Sequence, residues 1–206
     1  MTMSEQEIKA MGLPRYTGIP TFMRTPYRES AAGLDIALVG VPYDGGVTNR
    51  PGARHGPREV RNQSSLMRTI NQATGVCPYE LCTIGDVGDA VVERPFQLEG
   101  AHQEIEDYYK KLATTGAVPL SVGGDHSISL PILRELARER PVGLIQIDAH
   151  CDTGDDYLGS RFHHGAPFSR AVDEGLLDPK RCVQIGIRGG INSRDQWAFS
   201  YEHGMR

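Results

Sequence analysis

The sequence predicts an α/β protein built around a mainly parallel β-sheet. Three observations lead to this prediction: short apolar runs recur along the chain, segments of helical periodicity separate them, and Gly- and Pro-rich loops join the two. A continuous apolar run is typical of a strand that is buried on both faces. Strands that alternate with helices indicate βαβ units. A chain of 206 residues is long enough for one large domain of this kind.

The predicted elements follow an irregular N-terminal arm, residues 1–33, and we expect residues 34–206 to form the α/β domain. The run over 34–41 is the first strand, and a loop over 44–57 leads into a helix near Pro57, because proline is tolerated in a first helical turn. Apolar residues from Leu98 to Leu112 recur at helical spacing. The other predicted strands are 81–85, 118–122, 142–148 and 182–187, and the other predicted helices are 128–139, 166–175 and 193–203.

Charge and composition argue against several classes of partner. The 22 Lys and Arg residues are balanced by 26 Asp and Glu residues, so the net charge of −4 offers no basic surface for nucleic acid or an anionic membrane. No apolar run approaches the roughly 20 residues that cross a bilayer. The four cysteines are scattered without CxxC spacing, which indicates reduced thiols. We therefore expect a cytoplasmic protein whose partners include neither nucleic acid nor a membrane.

The block DAHCD (148–152), directly after a predicted strand, carries the strongest chemical signal. Asp148, His150 and Asp152 lie at positions i, i+2 and i+4. If the extended conformation continues past Asp148, all three side chains point to one face. Two carboxylates and an imidazole at the carboxyl end of a strand form a candidate metal-ligand set, although a lone D-x-H-x-D also occurs by chance.

A second block, GGDHS (123–127), follows the preceding predicted strand. The paired glycines allow a tight turn that brings His126 to the same edge of the sheet. Asp125 either orients His126 or caps the following helix. Such a block alone is more often a plain turn, but two blocks at consecutive strand ends predict a metal site. Because this set of two His and two Asp holds no thiolate, it suits Mn²⁺ or a similar ion better than structural Zn²⁺.

Two adjacent histidines, His163 and His164, begin the loop HHGAPF (163–168). An imidazole with an ordinary pKa of about 6.5 can move protons near a metal-bound hydroxide. Paired loop histidines are otherwise more often simply solvated.

These three motifs, in this order, resemble the ureohydrolases, the family of arginase, agmatinase and the guanidino-acid hydrolases. The loop GVTNRPGARHGPREVR (46–61) and the stretches IGDVGD (84–89) and AVDEGLLDPKRCVQIGIRG (171–189) resemble the agmatinase-type branch. Within that branch, IPTFMR (19–24) and GARHGPREVRNQSSLMR (52–68) resemble guanidinopropionase and its guanidinobutyrase relatives.

The resemblance implies an arginase-like fold, a three-layer αβα sandwich with a mainly parallel sheet, and a homo-oligomer. It also implies two Mn²⁺ ions, with Ni²⁺ or another divalent ion as the alternative. His126 and Asp152 match ligands of one ion, and His150 matches a ligand of the other. Asp148 matches the carboxylate that bridges both ions.

The resemblance also implies a catalytic role for His164, which matches the loop histidine that moves protons, whereas His163 has no matching role. Tyr157 follows the metal block, and a bulky ring in the outer pocket favours a short guanidino acid over agmatine; simple packing is the other interpretation. Arg54 or Arg50 is expected to pair with a substrate carboxylate, the alternative being structural bracing.

The family's later D-x-D metal motif and its downstream glutamate have no match in this sequence. We therefore expect a truncated chain, a partial ureohydrolase domain missing its C-terminal strands and helices. Two functions stay open. The first is metal-dependent hydrolysis of 3-guanidinopropionate, 4-guanidinobutyrate or agmatine to urea and a primary amine, by hydroxide formed at a dinuclear metal site. The second is a non-catalytic fragment with an incomplete metal site.

Overall fold

The computed structural model describes residue 4, residues 11–191, residue 193 and residues 195–206. Most of the predicted arm before residue 11, and part of the helix predicted over 193–203, lie outside the described residues. The chain divides into two compact units. The first contains residues up to Pro42, Gly52–Val91 and Lys110–Gly124, and the second contains Tyr43–Pro51, Val92–Tyr109 and Asp125–Arg206.

The first unit is built on a parallel sheet of three strands: β1 (Ile36–Val41), β2 (Ile84–Asp89) and β3 (Val118–Gly123). They stand in the order β2-β1-β3. Ile36 of the central strand pairs with Ile84 on one side and Val118 on the other. Ala37 and Leu38, neighbours whose side chains point to opposite faces of the strand, are 0% and 1% exposed, as expected for a strand covered on both faces. The prediction of parallel strands is confirmed here.

Short helices and turns complete the first unit. They are the 3₁₀ turns Phe22–Arg24 and Ala53–His55, helix α1 (Gly56–Ser64) and helix α2 (Pro78–Leu81). Helix α3 (Leu98–Ala113) contributes its last four residues to this unit and the others to the second unit. Proline occupies the first turn of both α1 and α2, where its missing N–H costs no hydrogen bond. Phe22, Leu38 and Tyr79 pack together in the core of the unit.

The second unit has a two-stranded parallel sheet and three further helices among its described residues. The strands are β4 (Val142–Ile147) and β5 (Leu177–Ile185), and the helices are α4 (Ser129–Leu136), α5 (Pro167–Asp173) and α6 (Ala198–His203). Leu130, Phe168, Leu177 and Cys182 form its apolar core. The four cysteines are free thiols, as predicted. Among the described residues, none of the helices has the length and apolar character that crossing a bilayer requires.

Three strand predictions were wrong in detail. The strand expected over 182–187 begins earlier, at Leu177, and ends at Ile185. The strand expected over 81–85 lies at Ile84–Asp89, because Pro78 starts a helical turn just before it. The run over 142–148 was expected to be buried on both faces, yet Ile145 and Ile147 are 74% and 80% exposed. In the described part of the second unit β4 pairs with β5 alone, which leaves these side chains uncovered.

An arginine of α1 explains why β2 is hard to read from the sequence. Arg61 Nε and Nη2 donate to the two carboxylate oxygens of Asp86 at 2.8 and 3.0 Å, and Nη1 donates to Asp89 Oδ1 at 2.7 Å. The guanidinium lies 4.0 Å from the ring centroid of Phe22. Asp86 is only 1% exposed. The strand tolerates its buried charge because the Arg61 guanidinium binds both carboxylate oxygens at close range.

Replacing Arg61 by Met is expected to lower the free energy of unfolding by about 3–5 kcal/mol, because the buried carboxylate of Asp86 loses its counter-charge. Urea titration followed by circular dichroism measures this. Arg58→Met, at an exposed position of the same helix, is the matched control and is expected to change stability by less than about 0.5 kcal/mol. Equal losses in the two variants would contradict the assignment.

Candidate metal centre

Three side chains of the second unit bring possible metal-ligand atoms within 4.8 Å of one another: His126, Asp148 and Asp152. His126 Nδ1 lies 2.6 Å from Asp152 Oδ2 and 3.4 Å from Asp148 Oδ2. Asp148 follows the last residue of β4, and His126 starts a 3₁₀ turn, His126–Ile128, that continues into α4. All three belong to the set that the sequence predicts as ligands.

Asp148 and Asp152 do not converge in the way that the sequence predicts, which was through alternation of side chains along an extended strand. Strand β4 ends at Ile147, and the chain bends over 148–150 instead of staying extended. The N–H of His150 donates to Asp148 Oδ1 at 2.9 Å, which closes the bend. Asp152 then adopts a positive φ of 49°. The convergence of Asp148 and Asp152 thus comes from a turn in the backbone and not from the period of a strand.

His150 stands apart from the three-residue cluster. Its side chain is 67% exposed, and its Nδ1 lies 3.8 Å from Asp148 Oδ1. The Asp148 carboxylate therefore faces an imidazole with each oxygen, Oδ2 toward His126 and Oδ1 toward His150. Such a placement is compatible with a bridging carboxylate, and the role of His150 as a ligand stays a prediction.

Asp125 holds the turn that carries His126. Its Oδ1 accepts the N–H of Ser127 at 2.7 Å, its Oδ2 accepts the N–H of Gly46 at 2.8 Å, and its own N–H donates to the carbonyl of Tyr43 at 2.8 Å. The carboxylate is 4% exposed. Of the two roles that the sequence left open for Asp125, capping is the one observed, and it also fixes the position of His126.

The charges around His126 suit a cation. Burial is the largest single influence on its pKa and lowers it, but the hydrogen bond that the imidazole donates to Asp152 and the charges of Asp152, Asp148 and Asp125 raise it more. The pKa of His126 therefore lies above its usual value of 6.5. The ring of Phe168 packs edge-on against the imidazole, with the two centroids 5.2 Å apart. One imidazole and two carboxylates without a thiolate fit Mn²⁺ or a similar divalent ion.

The predicted relay histidine is anchored by a neighbouring loop. His164 Nε2 lies 2.9 Å from Thr48 Oγ1, and the His164 N–H donates to the carbonyl of Gly46 at 2.9 Å. The adjacent His163 is tied differently, since its Nε2 donates to the carbonyl of Asp155 at 2.8 Å and its Nδ1 accepts the N–H of Gly165. The two histidines are therefore distinct in structure, and neither Thr48 nor Gly46 was singled out by the sequence patterns.

The predicted substrate residues lie at the surface. Tyr157 is 48% exposed, with its ring centroid 5.7 Å from that of His163. Arg50 is an exposed residue of the second unit. Arg54 is exposed in the turn Ala53–His55 and belongs to the first unit, not to the unit that holds the cluster. The substrate contacts of all three residues stay predictions.

A buried histidine, which the sequence patterns also missed, supports the same region. His102 of α3 is 2% exposed, and its Nε2 lies 3.1 Å from Ser127 Oγ. Its ring packs edge-on between the rings of Tyr43 and Phe162, each 6.2 Å away. Burial, with a smaller contribution from the charge of Arg134, lowers the pKa of His102 to about 4. The imidazole is therefore neutral at pH 7.

The chain belongs to the Arginase family, whose sequence model matches residues 34–206. Among its relatives, guanidinopropionase from Pseudomonas aeruginosa is 54% identical over 98% of this chain and 63% of that protein. The human mitochondrial guanidino acid hydrolase is 46% identical over 93% of this chain and 54% of that protein. Guanidinobutyrase from P. aeruginosa is 42% identical over 94% of this chain and 62% of that protein. The chain thus spans little more than half to under two thirds of their length.

Solved structures support the same assignment. Proclavaminate amidino hydrolase from Streptomyces clavuligerus superposes with a TM-score of 0.88 at 39% identity, over 94% of this chain and 64% of that one. Trypanosoma cruzi formiminoglutamase with Mn²⁺ superposes with a TM-score of 0.74 at 30% identity, over 86% and 60%. The predicted arginase-like α/β fold is confirmed by these similarities.

Replacing Asp152 by Asn is expected to weaken Mn²⁺ binding more than about tenfold, because the ion loses a charged ligand next to His126. Equilibrium dialysis with metal analysis measures the dissociation constant. Asp107→Asn, which removes an exposed carboxylate of α3, is the control and should leave binding unchanged. If Asp152→Asn binds Mn²⁺ as the unaltered chain does, the cluster is not the metal site.

The low pKa of His102 predicts that stability falls in acid. The unfolded chain takes up a proton near pH 6.5 and the folded chain only near pH 4, so stability is full above 6.5 and declines between 6.5 and 4. His102 accounts for about 2 kcal/mol of this loss between pH 7 and 4.5. In His102→Gln the loss measured by urea titration should shrink by that amount. His55→Gln, at an exposed site, should keep the full loss, and equal slopes in all three proteins would refute the interpretation.

Proposed function

We propose that this chain carries the metal-binding part of a guanidino-acid hydrolase, which converts a guanidino compound and water to urea and a primary amine. The observation that carries the proposal is the cluster of His126, Asp148 and Asp152 at 4.8 Å or less, in a family whose similar members are named guanidinopropionase, guanidinobutyrase and agmatinase. Two Mn²⁺ ions are the proposed cofactor, supported by the Mn²⁺ in the T. cruzi relative. A homo-oligomer and a cytoplasmic location stay predictions from the sequence.

Divalent ions held by His126, Asp148 and Asp152 would lower the pKa of water and so supply hydroxide near neutral pH. The residues of the chain would bind the ions and position the reacting groups. The carboxylates of Asp148 and Asp152 would bind the cations next to the imidazole of His126, and the Asp148 carboxylate faces both His126 and His150. As the guanidinium carbon gains an oxygen, its bond to the alkyl nitrogen breaks, and that nitrogen must receive a proton to leave as an amine. His164 is the proposed source of this proton.

For the substrate we propose a short guanidino acid, 3-guanidinopropionate before 4-guanidinobutyrate or agmatine. Tyr157 belongs to the loop between the metal block and His164, and its ring is held against that of His163. A bulky ring at this position would shorten the space available to the alkyl chain of a substrate. The carboxylate of the substrate would then pair with Arg50, the exposed arginine that belongs to the same unit as the cluster, since guanidinium and carboxylate form paired hydrogen bonds.

The alternative function is a metal-binding chain without turnover. The exposure of His150 favours it. In the described residues the ion pair partner of His150 is Asp148, whose Oδ1 lies 3.8 Å from His150 Nδ1, so the site for a second ion has few ligands. Urea release by the Mn²⁺-loaded chain decides between the two. Turnover that is lost in Asp152→Asn supports hydrolysis, whereas bound Mn²⁺ without urea supports the alternative.

Replacing Tyr157 by Ala is expected to raise kcat/KM for agmatine relative to 3-guanidinopropionate by about tenfold, since one packing contact of this kind is worth roughly 1.4 kcal/mol. Urea release on both substrates gives the ratio. Tyr201→Ala, at a tyrosine that is 74% exposed, is the control with an unchanged ratio. Preference of the unaltered chain for agmatine would overturn the role of Tyr157.

A further inference from the structure

The loop 43–51 holds both the ring and the backbone of His164. Thr48 Oγ1 lies 2.9 Å from the ring nitrogen Nε2, and two residues earlier the carbonyl of Gly46 accepts the His164 N–H at 2.9 Å. Two contacts from one short segment fix a side chain more firmly than either contact alone, because the backbone bond limits where the ring can turn. Thr48 is therefore placed to set the direction in which the imidazole points.

The loop that carries Thr48 is itself firmly anchored. The buried carboxylate of Asp125 accepts the N–H of Gly46 at 2.8 Å, and the N–H of Asp125 donates to the carbonyl of Tyr43 at 2.8 Å. A Cβ on residue 46 would lie 2.5 Å from Ser127 Oγ and 3.1 Å from Asp125 Oδ1, so the approach requires glycine. The position of Thr48 is thus set by the same residue that caps the turn of His126.

The chemistry of a hydroxyl suits a partner that changes protonation state. An imidazole that moves a proton presents Nε2 sometimes as a donor and sometimes as an acceptor. A carboxylate can only accept and an ammonium group can only donate, whereas the Thr48 hydroxyl can do either by rotating its hydrogen. The contact therefore persists through both states without strongly favouring one of them.

We propose that Thr48 is a positioning residue that keeps the ring of His164 in one orientation through both of its protonation states. The inference deepens the proposed function and rests on it for the role of His164 in proton transfer. As a positioning residue, Thr48 acts only through His164.

The test compares Thr48→Val, which keeps the shape and removes the hydroxyl, with Thr48→Ser, which keeps the hydroxyl. In the full Mn²⁺-loaded chain, Thr48→Val is expected to lower kcat for urea release about tenfold with KM changed less than twofold, because a misoriented relay slows chemistry and not binding. Thr48→Ser should restore kcat to within about twofold. Thr74→Val, at an exposed threonine of the first unit, is the control.

A second measurement separates this proposal from the proposed function. Relaxation of the ¹³Cε1 nucleus of His164, in the chain without substrate, reports how freely the ring moves on the ps–ns timescale. Ring order should fall in Thr48→Val and recover in Thr48→Ser. That pattern in a chain that releases no urea supports the positioning role and rejects the proposed function. Unchanged ring order, or an unchanged kcat in a chain that turns over, overturns the role of Thr48.

Discussion

The buried carboxylate of Asp125 is the constraint on which the candidate site depends. One oxygen holds the turn of His126 and the other holds the loop of Gly46, so a single side chain fixes two segments that are about eighty residues apart in sequence. Each oxygen accepts a backbone N–H, and bonds of this kind to an ionised group are about twice as strong as neutral ones. His126 and His164 are thereby both anchored through the carboxylate of Asp125.

The two units handle clustered carboxylates in different ways. In the first unit Arg61 supplies a permanent counter-charge to Asp86 and Asp89, and these ion pairs link helix α1 to strand β2. In the second unit Asp148 and Asp152 face an imidazole, whose charge depends on protonation. A divalent ion at this cluster would compete with a proton on that imidazole for the same position. A positive charge that can exchange in this way suits a binding site, whereas a permanent guanidinium suits a structural ion pair.

Much of the fold and the identity of the ligand candidates could be predicted from the sequence, because parallel strands and strand-end motifs leave local patterns. The bend after Ile147 could not, since it depends on a hydrogen bond from the His150 N–H to the Asp148 side chain. Strand β2 was misplaced because its acidic residues look unlike a buried strand until Arg61 is known to neutralise them. Thr48 and His102 contact residues that are distant in sequence, and the periodicity of apolar residues does not reveal such pairs.

The anchoring of loop 43–51 also indicates where evolution or a designer is free to alter it. Position 46 tolerates no side chain, and the proposed role of Thr48 requires a hydroxyl at position 48. Asn49 is exposed and has no role in the proposed chemistry. A library confined to this position would therefore sample new surface chemistry near His164 while leaving the anchored loop intact.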